Sequence, residues 1–233
     1  MNKYLYLLQF ASAHPRLALA SWRVKSAKKT YLGYPHLFSL AQNYFKVRSR
    51  CGPSLRVAEF GVGRGGSAIV LAWLVHRFGG TLHLYDVFGR IPEPSDKDGE
   101  RAHARYRIIT EQEADSYYGN VPTLLDDIRR DVAAVCDLDK VRFLQGRYEE
   151  TLAYADAEPY HVVHIDCDWY ESVRAVLAFL ESRLSPGAIL QIDDYSNWQG
   201  SRTSVDEATW LSPYRRWIVG GPLVIDTGRL AKP

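Results

Sequence analysis

The chain has 233 residues and a net charge of +2; 46% of the residues are hydrophobic and 24% are charged. This composition is typical of one α/β domain with a well-buried core, and it excludes a disordered or low-complexity protein. The three cysteines are too few and too widely spaced for a disulfide framework or a zinc knuckle. The sequence contains no run of about 18 apolar residues, which is the length that a membrane span requires. We therefore expect a cytoplasmic protein.

The N-terminal segment, residues 1–50, contains no Asp or Glu. Its nine basic residues are Lys3, Arg16, Arg23, Lys25, Lys28, Lys29, Lys46, Arg48 and Arg50. The opening MNKYLYLLQFASA has the outline of a secretory signal, but its apolar run is short, is interrupted by Gln9 and leads into more basic sequence. We predict instead a helical extension of the domain formed by residues 51–233.

This extension has three possible roles. It could pack on the domain or on a second subunit, and the second arrangement would make a homo-oligomer. Its basic face could attract an anionic acceptor such as a nucleotide sugar, or rest weakly on an anionic membrane surface. Because its lysines come without a groove-reading motif, we expect no nucleic-acid partner.

Apolar strands and amphipathic helices alternate after residue 50. Strands are predicted at 55–60, 81–86, 140–145, 160–166 and 188–193, and helices at 67–78, 121–134, 170–184 and 202–210. In the helix at 170–184, Leu184 completes the apolar stripe, and Pro186 and Gly187 end it. Two apolar runs, 217–219 and 223–225, predict a terminal hairpin with an antiparallel edge strand. The alternation predicts a doubly wound, mostly parallel α/β sheet of the Rossmann-like kind.

A polar insertion, residues 91–120, interrupts this alternation. It contains Pro92, Pro94 and Gly99, and then Tyr106, Tyr117 and Tyr118. Unstructured loops longer than about 12 to 15 residues are usually functional or disordered, and this one leaves the sheet edge where ligands bind. We predict a lid over that edge; the alternative is a surface loop that carries a helix.

The segment LRVAEFGVGRGGS, residues 55–67, leads from a strand through a glycine-rich turn into a helix. Glycines at 61, 63 and 65 let the backbone approach a ligand, and Ser67 opens the helix. A dinucleotide fold uses such a turn as well, but Glu59 carries a carboxylate that suits a cationic amine rather than a pyrophosphate. Asp86 ends the next strand, where an acid binds ribose hydroxyls. An adenosine ligand with an ammonium group fits both acids.

Two acidic pairs follow two other strands. Asp166 and Asp168 end the run HVVHI, and Asp193 and Asp194 end the run GAILQI. Neighbouring parallel strands stop at one edge of a sheet, so these four carboxylates should gather there. Because clustered carboxylates repel one another, a hard divalent cation such as Mg2+ or Ca2+ would stabilise them better than zinc.

The pattern E-x-G-x-G-x-G resembles the first motif of S-adenosylmethionine-dependent methyltransferases of class I. Together with the segments YDVFGRIPEPSDKDGE, FLQGRYEETL, HIDCDWYES and SPGAILQIDDYSNWQGSRTSVDEA, it resembles the metal-dependent sugar O-methyltransferases of the macrocin type. The resemblance covers residues 55–208. The sequence departs from the family pattern at residues 87–90 and at Trp169 and Tyr170. These residues are expected near the acceptor, so the resemblance does not identify the acceptor molecule.

The resemblance implies a role for each matching residue. The metal would be Mg2+, ahead of Mn2+ or Ca2+, on Asp166, Asp193 and Asp194, and Asp168 would be the general base. The cofactor-binding residues would be Glu59 at the amino group, Asp86 at the ribose, the turn Gln145, Gly146 and Arg147 near the adenine, and Gly61, Gly63, Gly65, Ser67 and Asp166 around them. The reaction would methylate a sugar hydroxyl of a glycosylated natural product or an activated sugar.

Three alternatives remain open at this point. His161 and His164 are rival bases, although His164 shares its strand face with Val162 and is expected to be buried structure. A catechol-type methyltransferase would also use a metal to position a diol. The alternative from another class is an NAD-binding or non-catalytic α/β protein. Glu59 disfavours it, because a carboxylate at this position suits a cationic amine rather than a pyrophosphate.

Overall fold

The computed structural model describes residues 3–218 and 220–231. The strands are β1 (Arg56–Phe60), β2 (Thr81–Asp86), β3 (Val141–Gln145), β4 (Tyr160–Ile165), β5 (Leu184–Ile192), β6 (Tyr214–Ile218) and β7 (Leu223–Leu230). The α-helices are α1 (Lys3–Ala13), α2 (Pro15–Ser26), α3 (Tyr34–Cys51), α4 (Gly66–Phe78), α5 (Gly99–Arg107), α6 (Leu124–Ala133), α7 (Tyr148–Thr151), α8 (Tyr170–Leu180) and α9 (Gln199–Glu207).

All seven strands belong to one sheet with the order β3-β2-β1-β4-β5-β7-β6. All pairs of neighbouring strands among β1 to β5 are parallel. Strand β7 is antiparallel to both of its neighbours, β5 and β6. The predicted mostly parallel, doubly wound sheet is therefore confirmed. Helices α3, α4 and α6 cover one face, and α8 and α9 cover the other, so the apolar strands lie between two layers of helices.

The terminal hairpin is present, and the strand at this edge of the sheet, β6, is antiparallel to its neighbour β7, as predicted. The strand that runs against the direction of β1 to β5 is β7, and it lies inside the sheet between β5 and β6. Its first four residues are buried, whereas β6 is partly exposed along its length, which suits β6 for the edge. Val219, which the sequence assigned to the first strand of the hairpin, lies outside the described residues.

The helix predicted at 170–184 ends at Leu180, and β5 begins at Leu184 rather than at residue 188. Leu184 lies at helical spacing from Leu180, but it pairs with Tyr160 of β4. The register then shifts before Val162 pairs with Ile189, and Pro186 lies in this irregular stretch. A proline is tolerated in a strand at such an irregularity, so here it does not mark the end of a helix.

The helices of the basic N-terminal segment pack on the sheet domain. Side chains of α3 such as Leu37, Leu40 and Tyr44 are fully buried in the same hydrophobic cluster as α4. Lys46 and Arg50 of the same helix form ion pairs with Asp226 of β7. The division of the chain at residue 50 stays a prediction. None of the helices within residues 3–218 and 220–231 combines the length and the apolar character that a membrane span requires.

Candidate active site

A cavity of about 830 Å³ opens at the carboxyl ends of β1, β2, β4 and β5. Its size is within the range of small-molecule sites, and its place is where ligands bind in open parallel sheets. The chain lines it with residues 29–33 and His36 at the start of α3, the glycine turn after β1, residues 86, 87 and 89 at the end of β2, the insertion of residues 91–120, residues 146–149 after β3, and the acidic segments after β4 and β5.

The glycine turn is built for close approach. Gly61 has φ +91°, and a Cβ atom on it would lie 2.0 Å from the backbone oxygen of Asp166, so only glycine fits between β1 and β4. Gly65 has φ +85° and precedes α4 in a left-handed conformation. Gly61, Gly63 and Ser67 line the cavity, whereas Gly65 does not, because it faces Ile128 of α6.

Asp86 lines the cavity next to this turn. Its Oδ2 atom accepts hydrogen bonds from the backbone N–H groups of Val62 (2.6 Å) and Gly63 (3.1 Å), and its Oδ1 atom accepts one from Phe88 (2.7 Å). Burial raises the pKa of Asp86, and these backbone hydrogen bonds oppose the rise. Oδ2 already accepts two hydrogen bonds, so Oδ1 is the atom of Asp86 that can still accept one from a ribose hydroxyl.

The turn predicted to lie near the adenine adjoins Asp86. The backbone N–H of Gly146 donates to the backbone oxygen of Asp86 at 3.0 Å. Gly146 and Arg147 line the cavity. Gln145 does not line it; its Nε2 atom lies 3.5 Å from the backbone oxygen of Val87.

Glu59 is fully buried at the end of β1 and does not itself line the cavity. Its Oε1 atom lies 2.8 Å from Nδ1 of His164, whereas its Oε2 atom has no hydrogen-bond partner. Burial raises the pKa of Glu59, and His164 and the Ser67 hydroxyl oppose that rise. An unpaired buried carboxylate oxygen is costly, so Oε2 fits an ammonium donor that enters from the cavity.

Three of the four predicted carboxylates line the cavity: Asp166, Asp168 and Asp194. Burial raises the pKa of each of them well above its ordinary value, and neighbouring carboxylates raise it further. The backbone N–H of Asp168 and the side chain of Asp166 both contact the Asp194 carboxyl, yet Asp194 Oδ2 has no hydrogen-bond partner. Such a group of acids with an unpaired buried oxygen fits a bound cation.

Asp193 points away from this group. Its Oδ2 atom lies 3.0 Å from Nε2 of His164 and 3.3 Å from Nδ1 of His36, and its Oδ1 atom accepts a hydrogen bond from Nε2 of Gln191 at 2.9 Å. Burial would raise the pKa of Asp193, but the two histidines outweigh it and hold the pKa below its ordinary value. Asp193 does not line the cavity. His164, Asp166 and Asp193 nevertheless each offer a ligand atom within 4.8 Å of the others.

The two histidines weighed as bases occupy different places. His164 is fully buried between Glu59 and Asp193, as its position on the strand predicts. Burial lowers the pKa of His164, but the carboxylates of Asp193 and Glu59 overcome this and hold it well above its ordinary value. His161 lies toward the opposite end of β4, where its Nδ1 accepts a hydrogen bond from the backbone N–H of Arg56. Neither lines the cavity.

Two tryptophans form the wall beside Asp168. Trp169 and Trp198 meet edge to face with their ring centroids 5.1 Å apart, and Trp198 also hydrogen-bonds to the carboxylate of Asp168. The indole N–H of Trp169 donates to the backbone oxygen of Pro92 in the insertion at 2.9 Å. Aromatic faces with polar edges suit a sugar ring. The insertion also lines the cavity with Tyr117 and Tyr118, although its role as a lid stays a prediction.

The sequence did not predict that residues 29–33 and His36 line the cavity. The backbone N–H of Gly66 donates to the backbone oxygen of Lys29 at 3.0 Å, which holds this segment against the start of α4. Tyr31 then lies near Tyr118, with the Arg64 guanidinium near both rings. These contacts join residues that are distant in the chain, and no local pattern in residues 29–36 indicates them.

Comparison with known proteins shows the family. A family model described as macrocin-O-methyltransferase (TylF) matches residues 30–210. The chain is 32% identical over 188 residues to the 8-demethyl-8-(2,3-dimethoxy-alpha-L-rhamnosyl)-tetracenomycin-C 4'-O-methyltransferase of Streptomyces olivaceus, which covers 79% of this chain and 68% of that protein. It is 31% identical over 170 residues to the mycinamicin III 3''-O-methyltransferase of Micromonospora griseorubida, covering 71% of this chain and 65% of the relative.

Solved structures share the fold. The O-methyltransferase NovP superposes with a TM-score of 0.72 at 24% identity, covering 86% of this chain and 82% of that one. The calicheamicin methyltransferase CalS11 superposes with a TM-score of 0.66 at 19% identity, covering 82% and 78%. At these identities the likeness supports the class I methyltransferase fold of the sheet and its helices.

Proposed function

The chain belongs to the macrocin-O-methyltransferase (TylF) family and is an S-adenosylmethionine-dependent O-methyltransferase, and we propose that it methylates a sugar hydroxyl with the help of Mg2+. The acceptor is a glycosylated natural product or an activated sugar. The observation that carries this proposal is the group of cavity carboxylates, Asp166, Asp168 and Asp194, next to the wall of Trp169 and Trp198. The two relatives are named for methylation of a rhamnosyl compound and of mycinamicin III, which supports a sugar-containing acceptor.

The cofactor-binding residues contact two parts of S-adenosylmethionine, the ammonium group and the ribose; the cofactor supplies a methyl group on a positively charged sulfur. Oε2 of Glu59 accepts a hydrogen bond from the ammonium group, because it is buried and unpaired. Asp86 accepts a hydrogen bond from a ribose hydroxyl while Val62, Gly63 and Phe88 fix its orientation. Gly61 lets the turn after β1 lie directly against the backbone of Asp166, which brings the two cofactor-binding segments together at the cavity.

Asp168 takes the proton from the acceptor hydroxyl. It lines the cavity, its carboxylate is oriented by Trp198, and its backbone N–H contacts Asp194. Trp169 and Trp198 hold the sugar ring so that one hydroxyl faces both Asp168 and the methyl group. Placement of reacting groups in this way can lower a barrier by roughly 7 to 11 kcal/mol.

Asp166, Asp193 and Asp194 would hold the Mg2+ ion. When bound, the ion supplies Lewis-acid chemistry that lowers the pKa of the acceptor hydroxyl. Asp194 brings an oxygen without a partner, and Asp166 lines the cavity beside it. Asp193 does not line the cavity, but it offers a ligand atom within 4.8 Å of one of Asp166, and His164 and His36 fix its Oδ2 atom.

Basic side chains of the cavity support an activated sugar as one form of the acceptor. Arg64, Arg105 and Arg147 line the cavity together with Lys29, which pairs with Asp131 at 2.7 Å. Such side chains attract a diphosphate, whereas a neutral glycoside would use the tryptophan wall alone. Assays with both acceptor types separate these two forms of the proposal.

A transfer assay tests the proposed function. The purified chain, S-adenosylmethionine and Mg2+ should methylate deoxysugar glycosides or nucleotide sugars, and should leave catechols unchanged. EDTA should suppress turnover and added Mg2+ should restore it, and Asp194→Asn should resist that restoration because it removes a ligand. The matched control is Asp139→Asn, because Asp139 is an exposed acid that does not line the cavity. Full turnover in EDTA would contradict the proposed dependence on Mg2+. Methylation of catechols would contradict the proposed sugar acceptor.

A further inference from the structure

A continuous line of contacts crosses the sheet beneath the cavity. Oε1 of Glu59 on β1 lies 2.8 Å from Nδ1 of His164 on β4, and Nε2 of the same ring lies 3.0 Å from Oδ2 of Asp193 after β5. All three side chains are at most 1% exposed. One imidazole ring therefore joins the residue predicted to bind the cofactor's ammonium group to a residue predicted to bind the metal.

The far end of this line is fixed as well. Gln191 of β5 donates from Nε2 to Oδ1 of Asp193 (2.9 Å) and to the backbone oxygen of His36 (3.2 Å). Its Oε1 atom accepts a hydrogen bond from Nδ2 of Asn43 at 3.1 Å. Glu59, His164 and Gln191 stand at paired positions of three neighbouring strands, so backbone hydrogen bonds hold their relative heights.

Packing alone does not account for these residues. The surroundings on this face of the sheet are apolar side chains such as Val57, Val162 and Ile189. Two buried acids and a histidine cost free energy through desolvation, and apolar residues of similar volume often stabilise a fold equally well or better. A function that needs both acids in fixed positions explains why the line is polar.

We propose that His164 is a positioning residue that couples the cofactor site to the metal site. This proposal rests on the proposed function, because it takes Glu59 as the acid of the ammonium group and Asp193 as a metal ligand. The rigid ring binds one oxygen of Glu59 and leaves the other available to the cofactor. The same ring fixes Oδ2 of Asp193, so neither acid can move without the other.

Two variants of His164 separate its two contacts. The amide of Asn reaches about as far as Nδ1 of the ring, so His164→Asn keeps the contact with Glu59 and loses that with Asp193. The longer Gln reaches about as far as Nε2, so His164→Gln keeps the contact with Asp193 and loses that with Glu59. Binding of S-adenosylhomocysteine is measured by calorimetry in EDTA, and binding of Mn2+ is measured by electron paramagnetic resonance without cofactor.

The expected result is a crossed pattern. His164→Asn should weaken Mn2+ binding by roughly 10- to 100-fold, the usual effect of losing a residue that orients a ligand, and should leave S-adenosylhomocysteine affinity near that of the wild type. His164→Gln should do the reverse. Parallel losses in both affinities, or no loss in either, would give His164 a purely structural role and overturn the proposal. Failure of the wild-type protein to bind S-adenosylhomocysteine or Mn2+ would instead overturn the proposed function.

A second pair of variants tests the coupling with the ring intact. In EDTA, Asp193→Asn should weaken S-adenosylhomocysteine binding, because the intact ring of His164 loses the carboxylate that orients it toward Glu59. The shorter side chain in His164→Asn ends at its contact with Glu59 and needs no second partner, so that variant keeps its cofactor affinity. Asp194→Asn is the matched control, since Asp194 is also a buried acid of the group but has no hydrogen bond to His164. Equal cofactor affinities for the two variants would contradict the coupling even if both His164 variants failed to fold.

Discussion

The backbone conformation of Asp168 sets it apart from the other acids of the site. Its φ is +56°, in the left-handed region that side chains other than glycine rarely adopt. Asp tolerates this conformation better than most residues, and strain of this kind concentrates at functional sites. The turn brings the backbone N–H of Asp168 to Asp194 and places its carboxylate beside Trp198. Its geometry therefore supports a role that differs from that of a metal ligand.

Asp168→Asn should lower turnover by roughly 100- to 10,000-fold, the usual range for loss of a general base. The loss should appear in kcat more than in KM, because the proton moves only in the transition state. Affinities for S-adenosylhomocysteine and Mn2+ should stay near those of the wild type, which calorimetry checks. A variant that loses Mn2+ binding would show instead that Asp168 is a fourth metal ligand.

At this scale the sequence predicted which acids gather but not how each one points. Asp193 and Asp194 are adjacent, but β5 ends at Ile192, Asp193 has helical backbone angles and Asp194 begins a short 3-10 helix. Asp194 faces the cavity, whereas Asp193 turns to His164 and His36. Strand alternation does not apply beyond Ile192, so it could not predict these two orientations, and the contact with His36 depends on how α3 packs.

At the scale of elements, one buried acid of β7, Asp226, binds two basic side chains of α3 and so holds this helix against the sheet. Arg50 binds both carboxylate oxygens of Asp226, at 2.6 and 2.9 Å, and Lys46 lies 2.7 Å from Oδ2. Burial would raise the pKa of Asp226, but these two cations outweigh it and lower the pKa to about 2. Nothing in the sequence around Asp226 pairs it with residues some 176 positions earlier. The sequence showed that α3 is basic, but it did not show that Asp226 is the partner of its basic side chains.

The lowered pKa of Asp226 predicts a pH-dependent stability. The charged form is favoured by folding, so its contribution is complete above the ordinary pKa near 4 and is lost as the pH falls through about 2. Asp226→Asn should therefore lower the free energy of unfolding at pH 7 by about 1.5 to 3 kcal/mol, the range for hydrogen bonds to charged groups. Urea denaturation between pH 2 and pH 7 should show this difference shrinking below pH 4. Asp139→Asn, at an exposed position, should show no comparable loss, and a constant difference down to pH 2 would contradict the ion-pair explanation.

Strand and helix bounds were predictable wherever local patterns agree with the fold. The strand of residues 81–86 is found as predicted, and the helix at 67–78 begins one residue earlier at Gly66. The prediction failed where tertiary pairing decides, since Leu184 fits a helix by spacing yet pairs with Tyr160. The insertion of β7 between β5 and β6 was not predicted at all. Local periodicity carries no information about either partner.

For the whole molecule, the cavity joins segments that are distant in the chain, so a ligand bound there should stabilise the fold as a unit. The segment before α3, the glycine turn, the insertion and the segments after β2, β3, β4 and β5 all line the cavity. A homo-oligomer through the N-terminal segment and a cytoplasmic location stay predictions, and neither is needed for this effect. The gain in stability depends only on the affinity for the folded state and on the ligand concentration.

S-adenosylhomocysteine at 100 times its dissociation constant should stabilise the folded chain by about 2.7 kcal/mol. For a chain of this length, that gain corresponds to a rise in Tm of about 5 to 11 °C. NAD shares the adenosine but lacks the amino acid that Oε2 of Glu59 would bind, so it should give a much smaller rise at the same concentration. Glu59→Gln should reduce the rise with S-adenosylhomocysteine and leave the response to NAD unchanged. Equal shifts with the two ligands would mean that the cavity recognises adenosine alone, and Glu59 would then have no part in cofactor binding.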